Sequence, residues 1–450
     1  MAGSRRFSVA SKILVIAASF ALPITVLVYF VISTIQQDID FATLELKGNV
    51  YQRPLEQILE AVQLHELIAG SCGTHGDCAT ALAPLRTTID EAFVQLKVVD
   101  AQVGKDLQFT DQGLAQRGRQ AAKAASVAAE WRDVDAVAAQ ASSATMPPAL
   151  AGKYDHLVDD LRLMITHAGD ESNLILDPQI DSYYLVDVTL MALPENQDRL
   201  GRAILFGRDL LTKGQGTVAD QIHAALDAAT LQDGEYQRVQ DSLNRSLSEN
   251  PGVALSASYQ HNVPLALAAY KTATPPFIAM VKQLADGGQH NFTADQFVAA
   301  GKAARAASFT LWQVADHELD ALLVMRIAAR NQARIWALAL SALALILSSG
   351  LAYLIMRSIT QPLDRLARSL GPGATLLSQS VNRIGRASDQ KSTSPEESAI
   401  ICEELTAHAE DMRSAVGELV SLINGGAIPP PAASPAAGAS HPRSDLRSAA

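Results

Sequence analysis

Two runs along the chain carry no charged residue, positions 13–35 ("ILVIAASFALPITVLVYFVISTI") and 335–356 ("IWALALSALALILSSGLAYLIM"). Each exceeds the roughly 20 residues that span a hydrocarbon core, so each predicts a membrane-crossing helix. Outside them, apolar residues recur at helical spacing. Over 44–68, for example, Leu55, Ile58, Leu59, Val62 and Leu67 share one face, leaving Glu56, Glu60 and Gln63 for the other, as in an amphipathic helix. No run of alternating Val, Ile, Thr and aromatic residues predicts a strand. The expected fold is all-α.

The first helix is predicted to run from the membrane to about Ala69, and the last from about Thr293 back into the second span. Shorter helices lie between, separated at 142–148, 176–179, 213–217, 249–252 and 274–276, where Pro, Gly, Asn and Ser gather. Either one up-and-down bundle or two stacked bundles sharing the long helices satisfies this order.

Arg5, Arg6 and Lys12 precede the first span, and Arg357, Arg365 and Arg368 follow the second, which places both termini in the cytoplasm. Arg326, Arg330 and Arg334 on the outer flank weigh little against this, because a long loop is translocated largely regardless of its charge. The alternative for the first span is a cleaved signal peptide, whose apolar core of about 7 to 15 residues is shorter than the run seen here. The expected organisation is a cytoplasmic N-terminus (1–12), a first span (13–35), a helical sensor region outside the membrane (36–334), a second span (335–356), a linker (357–390), a cytoplasmic heptad helix (394–425) and a Pro/Ala-rich tail (426–450).

The formal charge of -11 and the absence of a basic tract exclude a general nucleic-acid binder, which needs surplus Lys and Arg to displace counterions from phosphate. No GxxxxGK loop, HExxH pair or Gly-rich nucleotide box is present, so no catalytic residue, metal or cofactor is expected and the chain reads as no enzyme. Cys72 and Cys78, in "SCGTHGDC", are expected to pair in an oxidising compartment. The alternative is a metal site with His75 and either His65 or Asp77. Cys402 reads as a reduced core thiol, and His408 as a seam residue on the last helix.

The segment 173–203, "NLILDPQIDSYYLVDVTLMALPENQDRLGRA", places Asp177 and Pro178 as N-cap and first helical residue, followed by Tyr184, Val188 and Met191 at helical spacing. This stretch, with "LWQVADHELDALLVMRIAARNQAR" at 311–334, resembles the helical sensor regions of bacterial methyl-accepting chemotaxis receptors. The resemblance implies a homodimer in the bacterial inner membrane whose periplasmic bundle binds a small molecule. Candidate anchors for such a ligand are Asp181, Tyr183, Tyr184, Asp187, Arg199 and Arg202, the arginines offering the fork geometry that clamps a carboxylate. From the residues alone, the alternative is a helix start with tyrosines packed in the bundle.

After the second span, Ile359, Leu363, Leu366 and Leu370 keep the a/d rhythm of a coiled coil, and Pro362 permits a bend or change of phase. The run "RSITQPLDRLARSL" resembles the first helix of a HAMP linker, which makes these five residues a candidate relay. The second half of the linker departs from that pattern: "GPG" at 371–373 is followed by a short helical patch and a polar stretch without the acidic closing signature. Ser394, Pro395 and Glu397 then make a capping box for a heptad series, Ile401, Leu405, His408, Met412, Ala415, Leu419 and Leu422. The kinase-control hairpin of chemoreceptors does not follow, so the output runs through a separate cytoplasmic partner, or the chain is the truncated sensor of a receptor, histidine kinase or cyclase. A structural membrane adaptor is the remaining alternative.

Overall fold

The computed structural model describes residues 9–70, 78–140, 146–214, 216–249, 256–287, 290–389, 400, 403–404 and 406–414. Among them every regular element is helical: α1 (Val9–Ala69), α2 (Cys78–Val99), α3 (Asp111–Gln116), α4 (Ala124–Ala138), α5 (Pro148–Glu171), α6 (Ile180–Val186), α7 (Leu193–Lys213), α8 (Val218–Ala229), α9 (Gln237–Glu249), α10 (Ala257–Ala285) and α11 (Ala294–Asp389). The π-helical turns Asp187–Ala192 and Thr230–Tyr236 join α6 to α7 and α8 to α9, and a third, Asp100–Gly104, extends α2.

Local chemistry sets the ends. α5 begins on Pro148, whose missing N–H costs nothing in the first turn. α8 opens on a reciprocal cap: the Asp220 N–H donates to Thr217 Oγ1 at 3.2 Å, and the Thr217 N–H donates to the Asp220 carboxylate at 2.8 Å. α7 closes on Gly214 at φ +75°, a left-handed conformation that suits a residue without a Cβ. Two expected boundaries move. α6 starts at Ile180 with Gln179 as N-cap, so Asp177 and Pro178 precede the helix, and the Asp177 carboxylate accepts from the Gln179 N–H at 3.0 Å. α10 runs straight through Pro275 and Pro276, because the buried neighbours Phe277 and Ile278 hold the segment against the core and outweigh the lost backbone bonds.

The chain divides into two compact units, Val28–Leu338 and the remainder. Inside Val28–Leu338 the buried apolar side chains form two clusters. The larger joins Tyr51, Leu55, Ile58, Leu59 and Val62 of α1 to Trp131, Tyr154, Tyr259 and Trp312. The smaller joins Leu67, Leu200, Ile204, Phe277 and Phe297. Each large side chain buried this way contributes about 1.5–3 kcal/mol relative to exposure. Residues of α1, α7, α10 and α11 enter both clusters.

At the boundary between the clusters lies a buried polar layer: Gln63 from α1, Asn196, Gln197 and Asp198 from α7, Thr274 from α10, and Arg305 and Ser308 from α11. Its bonds are internal. The Asn196 amide donates to Tyr270 Oη at 3.0 Å and to Ser308 Oγ at 2.9 Å, and the Gln197 amide donates to the Arg305 carbonyl at 3.1 Å. The expected polar face of α1 is therefore corrected: Glu56 and Gln63 are buried, since α1 is covered on more than one side and its polar groups bond to neighbouring helices.

In the other unit, the α1 segment up to Leu27 and the α11 segment from Ala339 expose their apolar side chains, Phe20 by 69% and Leu347 by 64%. Both helices are long and apolar enough to cross a membrane. α11 continues without a break through Pro362, Gly371, Pro372 and Gly373 to Asp389, where the sequence led us to expect an interruption. Residues 406–414 are helical as well, and Arg383 and Glu404 form an ion pair at 3.6 Å. Of the heptad series, His408 is half-buried and Met412 exposed, while Ile401, Leu405, Ala415, Leu419, Leu422, Cys402 and the tail 426–450 lie outside the described residues.

Candidate functional site

The two helices with membrane-length apolar segments are also joined, within Val28–Leu338, by an antiparallel ladder of polar bonds. It begins with Arg334 donating to Gln36, then Arg330 and Asp38 at 3.5 Å. Next, the Arg326 guanidinium reaches Glu45 at 3.1 Å and Asp177 at 3.2 Å and also donates to Ser182. Asn49 donates to Asp320 at 2.9 Å and to the Asp316 carbonyl at 3.0 Å, and Arg53 donates to Asp316 at 2.8 Å and pairs with Asp320. The last rung is Arg305, only 1% exposed, which donates to Glu60 at 2.5 Å, Gln63 at 3.1 Å and Gln197 at 3.1 Å.

Burial shifts the protonation of this ladder. Glu56 is pushed well above the usual carboxylate range by burial and by the neighbouring Asp316, and Asp316 is raised to about 6 by burial. Glu66, close to Asp155 and Asp198, is raised to about 8, again chiefly by burial.

The six predicted ligand anchors do not converge. Asp181 lies on α6, and Tyr183, half exposed, meets Tyr184 edge-on at 5.5 Å. Asp187 opens the π-turn and accepts from Arg238 at 2.5 Å and Ser242 at 3.0 Å. Arg199 is held by Glu195 at 2.6 Å and Glu235 at 2.9 Å, and Glu235 is raised to about 7 by burial and by Glu195. Arg202 is held by Asp198 at 2.9 Å, with Asp159 at 3.7 Å. Asp187 and Arg199 thus belong to one charged network through Arg238 and Glu235, whereas Arg202 belongs to the α7 polar layer. Both arginines already face carboxylates of the chain.

Of the relay residues, Ile359 is exposed, Pro362 is half-buried, and Leu363, Leu366 and Leu370 lie on α11 with no break at the proline. Cys78 opens α2, is buried and is disulfide-bonded; Cys72, His75 and Asp77 lie outside the described residues. His65 serves elsewhere, with its Nδ1 2.6 Å from Tyr154 Oη and its ring edge-on to Trp131, and burial lowers it to about 4. One group among the described residues has metal-ligand spacing: Glu130 on α4 with His156 and Asp160 on α5, their ligand atoms within 4.8 Å of one another.

Two clefts adjoin these groups. One, of about 330 Å³, is lined by Arg162, Leu163, Leu190, Met191 and Glu195 among others. The other, of about 240 Å³, opens within the ladder and is lined by Arg53, Glu56, Gln57, Gln313, Asp316 and His317.

Sequence reasoning missed Arg305, Arg326, Glu56 and Asp316. A signal for the arginines exists: positions 301, 305, 308, 312, 315, 319, 322 and 326 repeat at intervals of 4 and 3, so Arg305 and Arg326 occupy slots on an otherwise apolar or small-residue core register. Comparison of the chain with models of known families, with curated proteins and with solved structures finds no match, so its all-α architecture with two helices of membrane-spanning length stands on the sequence and the structure themselves.

Proposed function

We propose that the protein is a membrane-bound signal transducer of the chemoreceptor type: a homodimer in the bacterial inner membrane whose helical region 36–334 senses a small molecule in the periplasm and whose HAMP-like run from Arg357 passes the signal to a cytoplasmic partner. The observation that carries this reading is that the helices with membrane-length apolar segments, α1 and α11, are also the helices joined by the polar ladder. A ligand that binds one arrangement of that ladder better than another has a direct route to both spans. Differential affinity for the two states is the physical requirement, since equal binding shifts nothing.

The test uses the full chain in lipid nanodiscs, with thermal unfolding followed against panels of amino acids, organic acids, amines and oxyanions. A transducer gains stability with at least one class, because binding to the native state alone raises its unfolding free energy. No shift across the panels removes the sensor reading. It would favour a membrane adaptor, for which the exposed apolar stripe Val218, Ile222 and Leu226 on α8 offers a protein-docking face.

A further inference from the structure

We propose that the cleft between α1 and α11 lined by Glu56 and Asp316 is a binding site for a small hydrophilic organic cation carrying N–H donors, an amine or guanidinium. The proposal rests on the sensor reading for its consequence, but on the cleft's own chemistry for the binding.

The first observation is a local excess of carboxyl groups. Arg53 is the guanidinium lining the cleft; it donates to Asp316 and pairs with Asp320, while Glu56 lies beside them. At Arg305, by contrast, Glu60 is the paired carboxylate and neutral amides supply the other contacts. The cleft is lined by two carboxyls, Glu56 and Asp316, and by one guanidinium, which Asp320 also engages from outside the lining.

The second observation is an acceptor in want of a donor. Asp316 Oδ2 takes the Arg53 N–H, and the Asn49 amide beside the carboxyl donates to the Asp316 carbonyl and to Asp320, so Asp316 Oδ1 is buried without a hydrogen-bond partner on a residue that lines the cleft. An unpartnered buried carboxylate oxygen is costly, and a donor entering the cleft removes that cost. Gln52 already supplies Glu56 with one bond at 2.8 Å.

The remaining lining selects the class of ligand. Gln57, Gln313 and His317 are exposed at the mouth, and none of the lining residues is apolar, so a hydrophobic ligand gains nothing there. The volume of about 240 Å³ suits a small organic molecule, since a cavity of about 150 Å³ holds benzene. Glu56 and Asp316 also lie outside the one group with metal-ligand spacing among the described residues, which favours an N–H donor over a bare ion.

The proton is the natural competitor. Glu56 and Asp316 both hold protons above the ordinary carboxylate range, in the presence of Arg53 from α1 and of His317 and Asp320 from α11. An incoming cation takes the proton's place, so its affinity falls as the medium is acidified.

The experiment titrates the full chain in nanodiscs with 1,4-diaminobutane and with methylguanidinium by calorimetry at pH 8 and pH 5, against sodium chloride at matched ionic strength. Hydrogen exchange of residues 357–370 is followed in the same samples. Expected are saturable binding at pH 8, weaker binding at pH 5, and a loss of about tenfold or more in Glu56→Gln. Gln57→Arg, a substitution on the exposed mouth that leaves the core untouched, lowers affinity in the same direction. Absence of saturable binding, or binding that Glu56→Gln and Gln57→Arg leave unchanged, overturns the site. Saturable binding with no exchange change in 357–370 upholds the site and counts against the sensor reading. A stability gain with an acid or oxyanion and none with either cation does the reverse.

Discussion

Arg326 shows how one side chain holds several segments together. Its guanidinium joins Glu45 of α1, Asp177 of the stretch before α6 and Ser182 of α6, and Glu45 and Ser182 are fully buried. Removing one partner of a buried charge group leaves the others uncompensated, at a cost of about 3–5 kcal/mol. Arg326→Ala is therefore expected to lower the thermal unfolding temperature of the full chain by several degrees, whereas Arg326→Lys, which keeps the charge but not the planar fork, recovers part of the loss. An unchanged midpoint in the alanine variant contradicts this account. In the sequence, Asp177 stood out as a helix cap and Arg326 as a flank of the span. Their actual pairing joins residues 149 positions apart, a relation that local propensity does not encode.

At the scale of elements, α7 and α11 approach each other through glycines. A Cβ on Gly301 would lie 2.3 Å from Ile204 Cγ1, and one on Gly207 2.4 Å from the Phe297 ring. Overpacking of this kind costs about 1–3 kcal/mol. Gly301→Val is expected to destabilise the chain by that amount or more in denaturant unfolding, and the change to be larger than for Gly152→Val, where nothing lies within 4 Å. Helix identity was legible where a strong apolar rhythm met clear stop chemistry, as at Gly214 and at the Thr217 cap. It was misread where tertiary contacts overrule propensity, as at Pro275 and Pro276 in α10, and also across Gly371 to Gly373, through which α11 continues. The charged network around Asp187 and Arg199 was half legible, since the residues were named but Glu235 and Arg238, which close it, sit on a different helical hairpin.

For the molecule as a whole, buried acids set the response to pH. Glu66, Glu235 and Asp316 hold their protons to about 8, about 7 and about 6 in the folded state, and release them near 4 when unfolded. Between those limits the folded state binds more protons, so their contribution is present at the acid end and lost as pH rises. His65 acts with the opposite sign: it stays neutral down to about 4 when folded but protonates near 6.5 when unfolded, so its environment costs stability as pH falls through that window. The unfolding temperature is expected to be higher at pH 6 than at pH 8.5. Glu66→Gln is expected to exceed the unsubstituted chain at pH 8.5 and to match it near pH 4.5. A flat profile, or a gap that does not open with pH, contradicts the assignment.

The ladder between α1 and α11 also limits how these helices move. One turn of axial slip is about 5.4 Å, far beyond the reach of a hydrogen bond. Such a slide would break the Arg305–Glu60 and Arg326–Glu45 pairs together, and in neither direction does it bring both arginines to a new carboxylate four residues along α1. The pair is thereby geared like a toothed rack: sub-ångström play and rotation about the common axis are cheap, and long piston strokes within the bundle are barred.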